Sequence, residues 1–182
     1  MSKASLRKRT TFSLMRLVIL ACVAGPQLAL CQGQKRASQR VVADSCLPSS
    51  EFQLRGVSLG DDTTLALGTL GKALRTKTDS GVDDGGFFER RTIEYRDLSI
   101  VAVRGAIDQL TTRSARVTTP SGLRPGLSAD EVRRILLSKG VTFPQGADTV
   151  KIADCEGGAA YLNLAFDHAH HVRRVKILAM RP

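Results

Sequence analysis

Two segments of the chain, 66 residues apart, share one spacing of glycines, helix-capping residues and strand residues. Gly56 corresponds to Gly122, and Gly60 corresponds to Gly126. The further matched pairs are Asp62 with Ser128, Tyr95 with Tyr161, Leu98 with Leu164, and Ile100 with Phe166. Because self-similarity at a fixed period is the signature of repeated folding units, this spacing predicts a module that occurs twice.

The second unit has the clearer helix signal. Ser128 and Glu131 have the spacing of a capping box, and Val132, Ile135 and Leu136 then fall on one helical face. Three strands are predicted after this helix, over 149–152, 160–166 and 172–178. In the 160–166 segment, alternating apolar residues indicate a sheet with one buried face.

The first unit follows the same plan with a weaker helix, for which Asp62 is the predicted cap. Strands are predicted over 87–95 and 98–103, with 106–112 as a third, after a turn at 79–86. The predicted fold class is therefore α+β, with two tandem repeats that each pack a helix on a small antiparallel β-sheet.

Residues 1–31 have the pattern of a secretory signal. Five basic residues precede a short apolar run, 17–24, which ends at Gly25-Pro26. That run is too short for a membrane span of about 20 residues. Cys22 and Cys31 follow segments that resemble a bacterial lipoprotein signal, so both are lipidation candidates. A soluble exported protein and a lipid-anchored one both remain open, in the periplasm or outside the cell.

The charge has two parts. The net charge is +10, from 27 basic and 17 acidic residues, and the five leader cations supply half of it. The remaining excess suits a moderately basic globule, which could bind an anionic partner or simply stay soluble. The chain has no Trp, and aromatic residues are 4% of it, which argues against a stacking surface for nucleic acid.

Two cysteines, Cys46 and Cys155, follow the leader. In an exported chain a pair of cysteines predicts one disulfide. The alternative is a reactive thiol at Cys155, but its neighbours Asp154 and Glu156 would disfavour the thiolate.

The stretch 119–132, with the segments 161–166 and 172–177, resembles tandem envelope repeats of the SmpA/OmlA (BamE-like) and β-lactamase-inhibitor-like type. The resemblance covers 52–180, although the Leu-Gly-x-Pro that commonly follows the helix in those repeats is missing. It implies an export-associated binding or scaffold domain with no chemistry of its own.

Histidines are confined to one short cluster, in which His168 and His170 are the candidate metal ligands. Two imidazoles on one face of a strand can begin a zinc or copper site. Because the cluster falls between two predicted strands, a solvated hairpin turn is the competing interpretation. No nucleophile motif, phosphate-binding loop or dinucleotide fingerprint occurs, so no catalytic residue and no cofactor is predicted.

The predicted organisation is a signal peptide over 1–31, a linker over 32–50, repeat 1 over 51–117 and repeat 2 over 118–182. The predicted function is that of an exported, non-enzymatic bacterial protein that binds an envelope or extracellular protein. It would not bind nucleic acid, and it would meet a membrane only through a lipid anchor. The alternatives are an inhibitor of a secreted hydrolase and a metal-dependent hydrolase that uses His168 and His170.

Overall fold

The computed structural model describes residues 40–84, 86–157 and 160–180. The predicted signal segment 1–31, with the lipidation candidates Cys22 and Cys31, lies outside the described residues. The described part contains two helices, α1 (Thr63–Leu70) and α2 (Ala129–Leu137), and a short 3-10 turn, Ser49–Glu51. Its strands are β1 (Arg40–Leu47), β2 (Gln53–Leu54), β3 (Val57–Ser58), β4 (Arg75–Asp83), β5 (Gly86–Glu94), β6 (Ser99–Val103), β7 (Ala106–Thr112), β8 (Thr149–Asp154), β9 (Ala160–Phe166) and β10 (Val172–Ala179).

Eight of these strands form one mixed sheet in the order β1-β8-β9-β10-β7-β6-β5-β4. Only the β1–β8 pairing in this sheet is parallel. The strand β1 falls within 32–50, the stretch expected to be a linker, and β2 and β3 form a separate two-stranded hairpin. No helix in the described ranges is long and apolar enough to cross a membrane.

The prediction of two tandem helix-on-sheet repeats is wrong. The strands of both halves belong to a single sheet, because β7 pairs with β10 and places Leu110 opposite Ile177. Two small sheets would each have exposed an edge of unpaired backbone N–H and C=O groups at this point. The β7–β10 pairing satisfies those groups and joins the halves.

The two similar sequence segments share a local structure at the start of each helix. The Gly60 N–H donates to the Ile107 carbonyl at 2.8 Å, and the Gly126 N–H donates to the Val172 carbonyl at 2.7 Å. Both glycines have positive φ, 82° and 93°, a conformation that favours residues without a Cβ. The repeated glycine spacing therefore reflects a common way of attaching a helix to a strand.

The core lies between the helices and one face of the sheet. On this face six neighbouring strands contribute one apolar side chain each, in register and at most 1% exposed. These residues are Ile152, Leu162, Ile177, Leu110, Ile100 and Ile93. Full burial of each such side chain is worth about 1.5–3 kcal/mol relative to exposure. Helix α2 adds Val132 and Leu136, and α1 adds Ala66 and Leu70.

The predicted caps of both helices are confirmed. At α2 the Ser128 side chain accepts from the Glu131 N–H, while the Glu131 carboxylate accepts from the Ser128 N–H at 2.7 Å. At α1 the Asp62 carboxylate accepts from the Thr64 N–H at 2.7 Å. Each cap satisfies backbone donors that have no partner within the helix.

The predicted disulfide is confirmed between Cys46 and Cys155. It links the edge strand β1 to the residue after β8 and closes a sequence separation of 109 residues. Disulfides persist in oxidising, exported compartments, so the bond suggests such a compartment and agrees with the predicted signal peptide.

Candidate functional site

The face of the sheet opposite the helices is the open face. It carries two parallel rows of side chains that cross several strands in register. The polar row consists of Lys151, Asn163, Lys176, Thr111 and Ser99. The apolar row lies two residues away along each strand and consists of Ala153, Tyr161, Leu178 and Val101, with the polar Gln109 between Leu178 and Val101.

The open face is partly shielded from solvent although both helices pack elsewhere. Val101 is 4% exposed and Val103 is 8% exposed, yet neither belongs to the main core cluster. Apart from Val101, the residues of the two rows are half-buried. The open face therefore presents a surface on which apolar and polar side chains are closely packed.

Positive charge is concentrated where the open face crosses β8, β9 and β10. Lys151, Arg174 and Lys176 lie there, and these three strands place no carboxylate on this face. Burial lowers the pKa of Lys176, and the neighbouring Arg174 and Arg90 lower it further, while Asp108 acts in the opposite direction. The lowered pKa therefore reflects burial first and the two nearby guanidinium groups second.

The contacts of three side chains in the two rows distinguish them from their neighbours. The Lys151 Nζ lies 3.4 Å from the centroid of the Tyr161 ring, within cation–π distance. The Thr111 Oγ1 accepts from the Gln109 Nε2 at 3.2 Å, which leaves the hydroxyl proton available for another acceptor. The Asn163 Oδ1 is buried and has no hydrogen-bond partner in the described part of the chain.

A cleft of about 490 Å³ lies at one end of the open face. Its charged lining residues are two acids and two bases: Glu94, Asp97, Arg96 and Arg113. Ser99 and Ser114 also line it, but no histidine or cysteine does. A serine nucleophile needs an adjacent base, so this lining provides no activated nucleophile of the familiar type.

The structure places His168 and His170 in the exposed turn between β9 and β10. The Asp167 Oδ1 accepts from the N–H groups of Ala169 and His171, both at 2.9 Å. The His171 N–H bond is the main cause of the lowered pKa of Asp167, so this carboxylate stabilises the turn. Within the described ranges no three His, Cys, Asp or Glu side chains are grouped to hold a metal ion.

A projecting hairpin, formed by β4 and β5, is the second surface feature. The strand β5 pairs with β6 only over Arg90–Glu94, so residues 80–84 and 86–88 extend past that pairing. Val82 and Phe87 face each other across this hairpin and are 80% and 69% exposed. The prediction of a turn over 79–86 is wrong, because Arg75–Asp83 forms β4.

Sequence reasoning also missed the two rows of the open face. The alternation in 160–166 separates Asn163 from the core-facing Leu162 and Leu164, and this signal was present. The neighbours of Asn163 on β8 and β10 could not be read in the same way, because register between strands is set by the whole sheet.

No protein-family model, curated protein or solved structure matches the chain. The resemblance to tandem envelope repeats therefore stays a prediction.

Proposed function

We propose that this protein is an exported, non-catalytic module that binds a partner protein on its open face. The observation that carries the proposal is the one-sided sheet. Among the described residues both helices pack on one face, and the other face presents the half-buried polar and apolar rows. A surface of this kind provides the shape and the apolar area that protein recognition needs, whereas catalysis requires reactive groups that lie close together.

The size of the open face supports a protein partner. Eight strands spaced about 4.8 Å apart make a sheet about 34 Å wide. Specific protein interfaces bury about 800 Å² on each partner, which a surface of this width can supply. Small ligands prefer enclosed pockets, and the cleft at the end of the face is lined by two acidic and two basic residues.

The export part of the proposal rests on the leader pattern together with the Cys46–Cys155 disulfide. We infer a location in the periplasm or outside the cell, with Cys22 or Cys31 as the lipid attachment point if an anchor is present. Intact-mass measurement of the purified mature protein tests this inference. A lipid adduct on a terminal cysteine identifies the anchored form, and an unmodified shorter chain identifies the soluble form.

The docking proposal is tested by site-specific photo-crosslinking in the producing cell. A photoreactive amino acid replaces Gln109 on the open face, and a matched protein carries it at Leu65, which is 73% exposed on α1. We expect one protein to be crosslinked from position 109 and not from position 65. After its identification, the purified partner should bind wild-type protein and lose affinity for a Leu178→Glu variant.

The Leu178→Glu variant must first show an unchanged thermal unfolding midpoint, so that loss of binding is not loss of folding. Crosslinking of the same protein from both positions would contradict docking on the open face. So would a partner that binds the Leu178→Glu variant with wild-type affinity.

Inhibition of a secreted hydrolase is a second candidate, favoured by the projecting hairpin. Its exposed Phe87 could enter an active-site cleft, as an apolar anchor does in many interfaces. If so, Phe87→Ala should weaken inhibition of the target at least tenfold, while Leu65→Ala should not. No inhibition of any hydrolase from the producing cell's envelope would remove this candidate. The metal-dependent hydrolase alternative has no supporting observation among the described residues.

A further inference from the structure

The strand β4 forms an open edge of the large sheet. It is nine residues long and pairs with β5 alone among the described strands. Edge strands usually carry a proline, a bulge or a cover that prevents pairing with another chain. The opposite edge, β1, has a register shift between Val42 and Cys46 and is fixed by the disulfide. The strand β4 contains no proline, and its register with β5 is regular from end to end, so it lacks these protections.

The hydrogen bonds of β5 show which backbone groups of β4 point outward. In β5 the Glu89 carbonyl and the Tyr95 N–H bond to the residues that flank β6, so its odd-numbered residues face β6. Because backbone groups alternate in direction along an antiparallel strand, its even-numbered residues bond to β4. The register pairs these with odd-numbered residues of β4. The N–H and C=O groups of Thr76, Thr78 and Ser80 therefore point away from the sheet.

The sequence of β4 is complementary to itself when two copies run antiparallel. With Thr78 opposite Thr78 of a second copy, Lys77 of each copy lies opposite Asp79 of the other. Within one strand Lys77 and Asp79 already form an ion pair at 2.9 Å, so the two strands together make a square of alternating charges. Centring the pair one residue earlier or later places Lys77 against Lys77, or Asp79 against Asp79. Like charges directly opposite each other destabilise a sheet, so the charges select the register centred on Thr78.

Two exposed apolar side chains support the same register. Leu74, just before β4, is 72% exposed, and Val82, near its end, is 80% exposed. In the register centred on Thr78, Val82 of one copy comes next to Leu74 of the other at both ends of the pair. The contact removes apolar surface from water at two positions where the single chain leaves it exposed.

We propose that β4 pairs with β4 of a second copy of this chain, antiparallel and centred on Thr78, and so forms a two-fold symmetric dimer. The same edge is used by both copies, so the assembly closes at two and joins the two eight-stranded sheets into one. The open faces of the copies then lie side by side, because paired residues point to the same side of a sheet. The paired stretch is about 24 Å long, which is a small interface, so we expect dissociation at about micromolar concentrations. This inference goes beyond the proposed docking function and does not depend on it.

The register is tested with single cysteines in the mature protein, whose Cys46 and Cys155 are already joined. In the proposed dimer about 5.5 Å separates the two Cα atoms at position 78, a distance that a disulfide can span. Thr78→Cys should therefore form a covalent dimer on mild oxidation, at least tenfold faster than Thr76→Cys. The latter is the matched control, because it lies on the same exposed edge but its two copies would be about 14 Å apart. Non-reducing gels measure both rates, and sedimentation equilibrium measures the dissociation constant of the wild-type dimer.

The charge pairing is tested by reversal and mixing. Lys77→Asp and Asp79→Lys should each weaken the dimer about tenfold, because each places like charges opposite each other at two symmetric positions. An equimolar mixture of the two variants should recover wild-type affinity, because the acidic edge of one then faces the basic edge of the other. Arg173→Asp is the control, since Arg173 is exposed on β10, which three strands separate from β4. This control should dimerise as wild type does.

A backbone variant keeps the test decisive if a charge variant fails to fold. Thr78→Pro removes an N–H that points away from β5, a position where an edge strand tolerates proline, so the single chain should keep its fold. The dimer loses one hydrogen bond from each copy and should weaken at least tenfold. A wild-type protein that stays monomeric at about 0.2 mM, or equal crosslinking of Thr78→Cys and Thr76→Cys, would overturn the inference. So would a mixture of folded charge variants without recovery, or a dimer that Thr78→Pro leaves unchanged.

Discussion

At the scale of single residues, Glu51 is the most deeply buried carboxylate that the structure describes. Its side chain is 4% exposed, accepts from the Ser121 N–H at 2.9 Å and forms an ion pair with the Lys139 Nζ at 3.2 Å. These contacts connect the turn after β1 to the loop before α2 and to the residues that follow that helix. A buried charge is tolerated only when it is paired in this way.

We therefore expect that replacement of the half-exposed Lys139 lowers the free energy of unfolding more than replacement of an exposed lysine usually does. Lys139→Ala leaves the Glu51 carboxylate buried without its cation, so the free energy of unfolding should fall by about 1–3 kcal/mol. Lys72→Ala, at an exposed position, should change it by less than about 0.5 kcal/mol. Guanidinium unfolding of both variants measures the difference. Equal stabilities would show that the Lys139 contact contributes nothing.

At the scale of elements, helix α2 begins at a capping box that joins two side chains and two backbone N–H groups. Ser128→Ala removes the hydroxyl that accepts from the Glu131 N–H and should lower the free energy of unfolding by about 1 kcal/mol. Urea titration at pH 7 gives this value. Ser138→Ala is the control, because Ser138 follows the end of the helix and its hydroxyl donates only to the nearby Ile135 carbonyl. A loss as large in the control would argue against a specific capping effect.

Acid should destabilise both helix starts and the β9–β10 turn. The backbone N–H groups of Thr64, Ser128 and His171 are the main causes of the lowered pKa values of their carboxylate partners. Those partners are Asp62, Glu131 and Asp167.

Each of these carboxyls has a lower pKa in the folded protein than in the unfolded chain, where it is about 4. Its contribution to stability is therefore fully present above the unfolded pKa, and it is lost as the pH falls through the folded pKa. The urea midpoint should therefore drop between pH 5 and pH 3. In Glu131→Gln the drop should be smaller, since one titrating cap is gone. An identical pH dependence in wild type and variant would reject a role for Glu131.

The elements also show which parts of the fold can be predicted from the sequence. The caps of α1 and α2 and the strands from β8 to β10 were predictable, because each is signalled by residues close together in the chain. The strand β4 was missed because all of its described residues except Gly81 are exposed, so no apolar alternation marks it. Within the candidate site, the alternation around Asn163 was readable, but its lysine neighbours depend on pairings between distant strands. The β7–β10 pairing, which makes one sheet rather than two, could not be predicted for the same reason, because it also joins strands that are distant in the sequence.

At the scale of the whole molecule, the disulfide fastens an edge strand to the sheet. Replacement of both cysteines by serine removes a constraint that spans 109 residues, so the free energy of unfolding should fall by about 4–5 kcal/mol in the chain-entropy model. Hydrogen exchange should accelerate first in β1, since that strand pairs with β8 alone. Amides of β7 and β10, in the centre of the sheet, should accelerate only with global unfolding. A uniform acceleration would instead mean that the bond supports the entire sheet equally.

Because β1 pairs in parallel with β8, the sheet cannot be completed until the residues of β8 have been synthesised. Translation runs from the amino terminus, so the residues of β1 emerge well before the strand that receives them. At about 5–20 residues per second, Cys46 waits roughly 5–20 seconds for Cys155. During that interval the edge of the sheet does not exist, and the waiting thiol is open to wrong partners. If the chain is exported as proposed, its yield should therefore depend on how well the Cys46 thiol is protected until Cys155 is available.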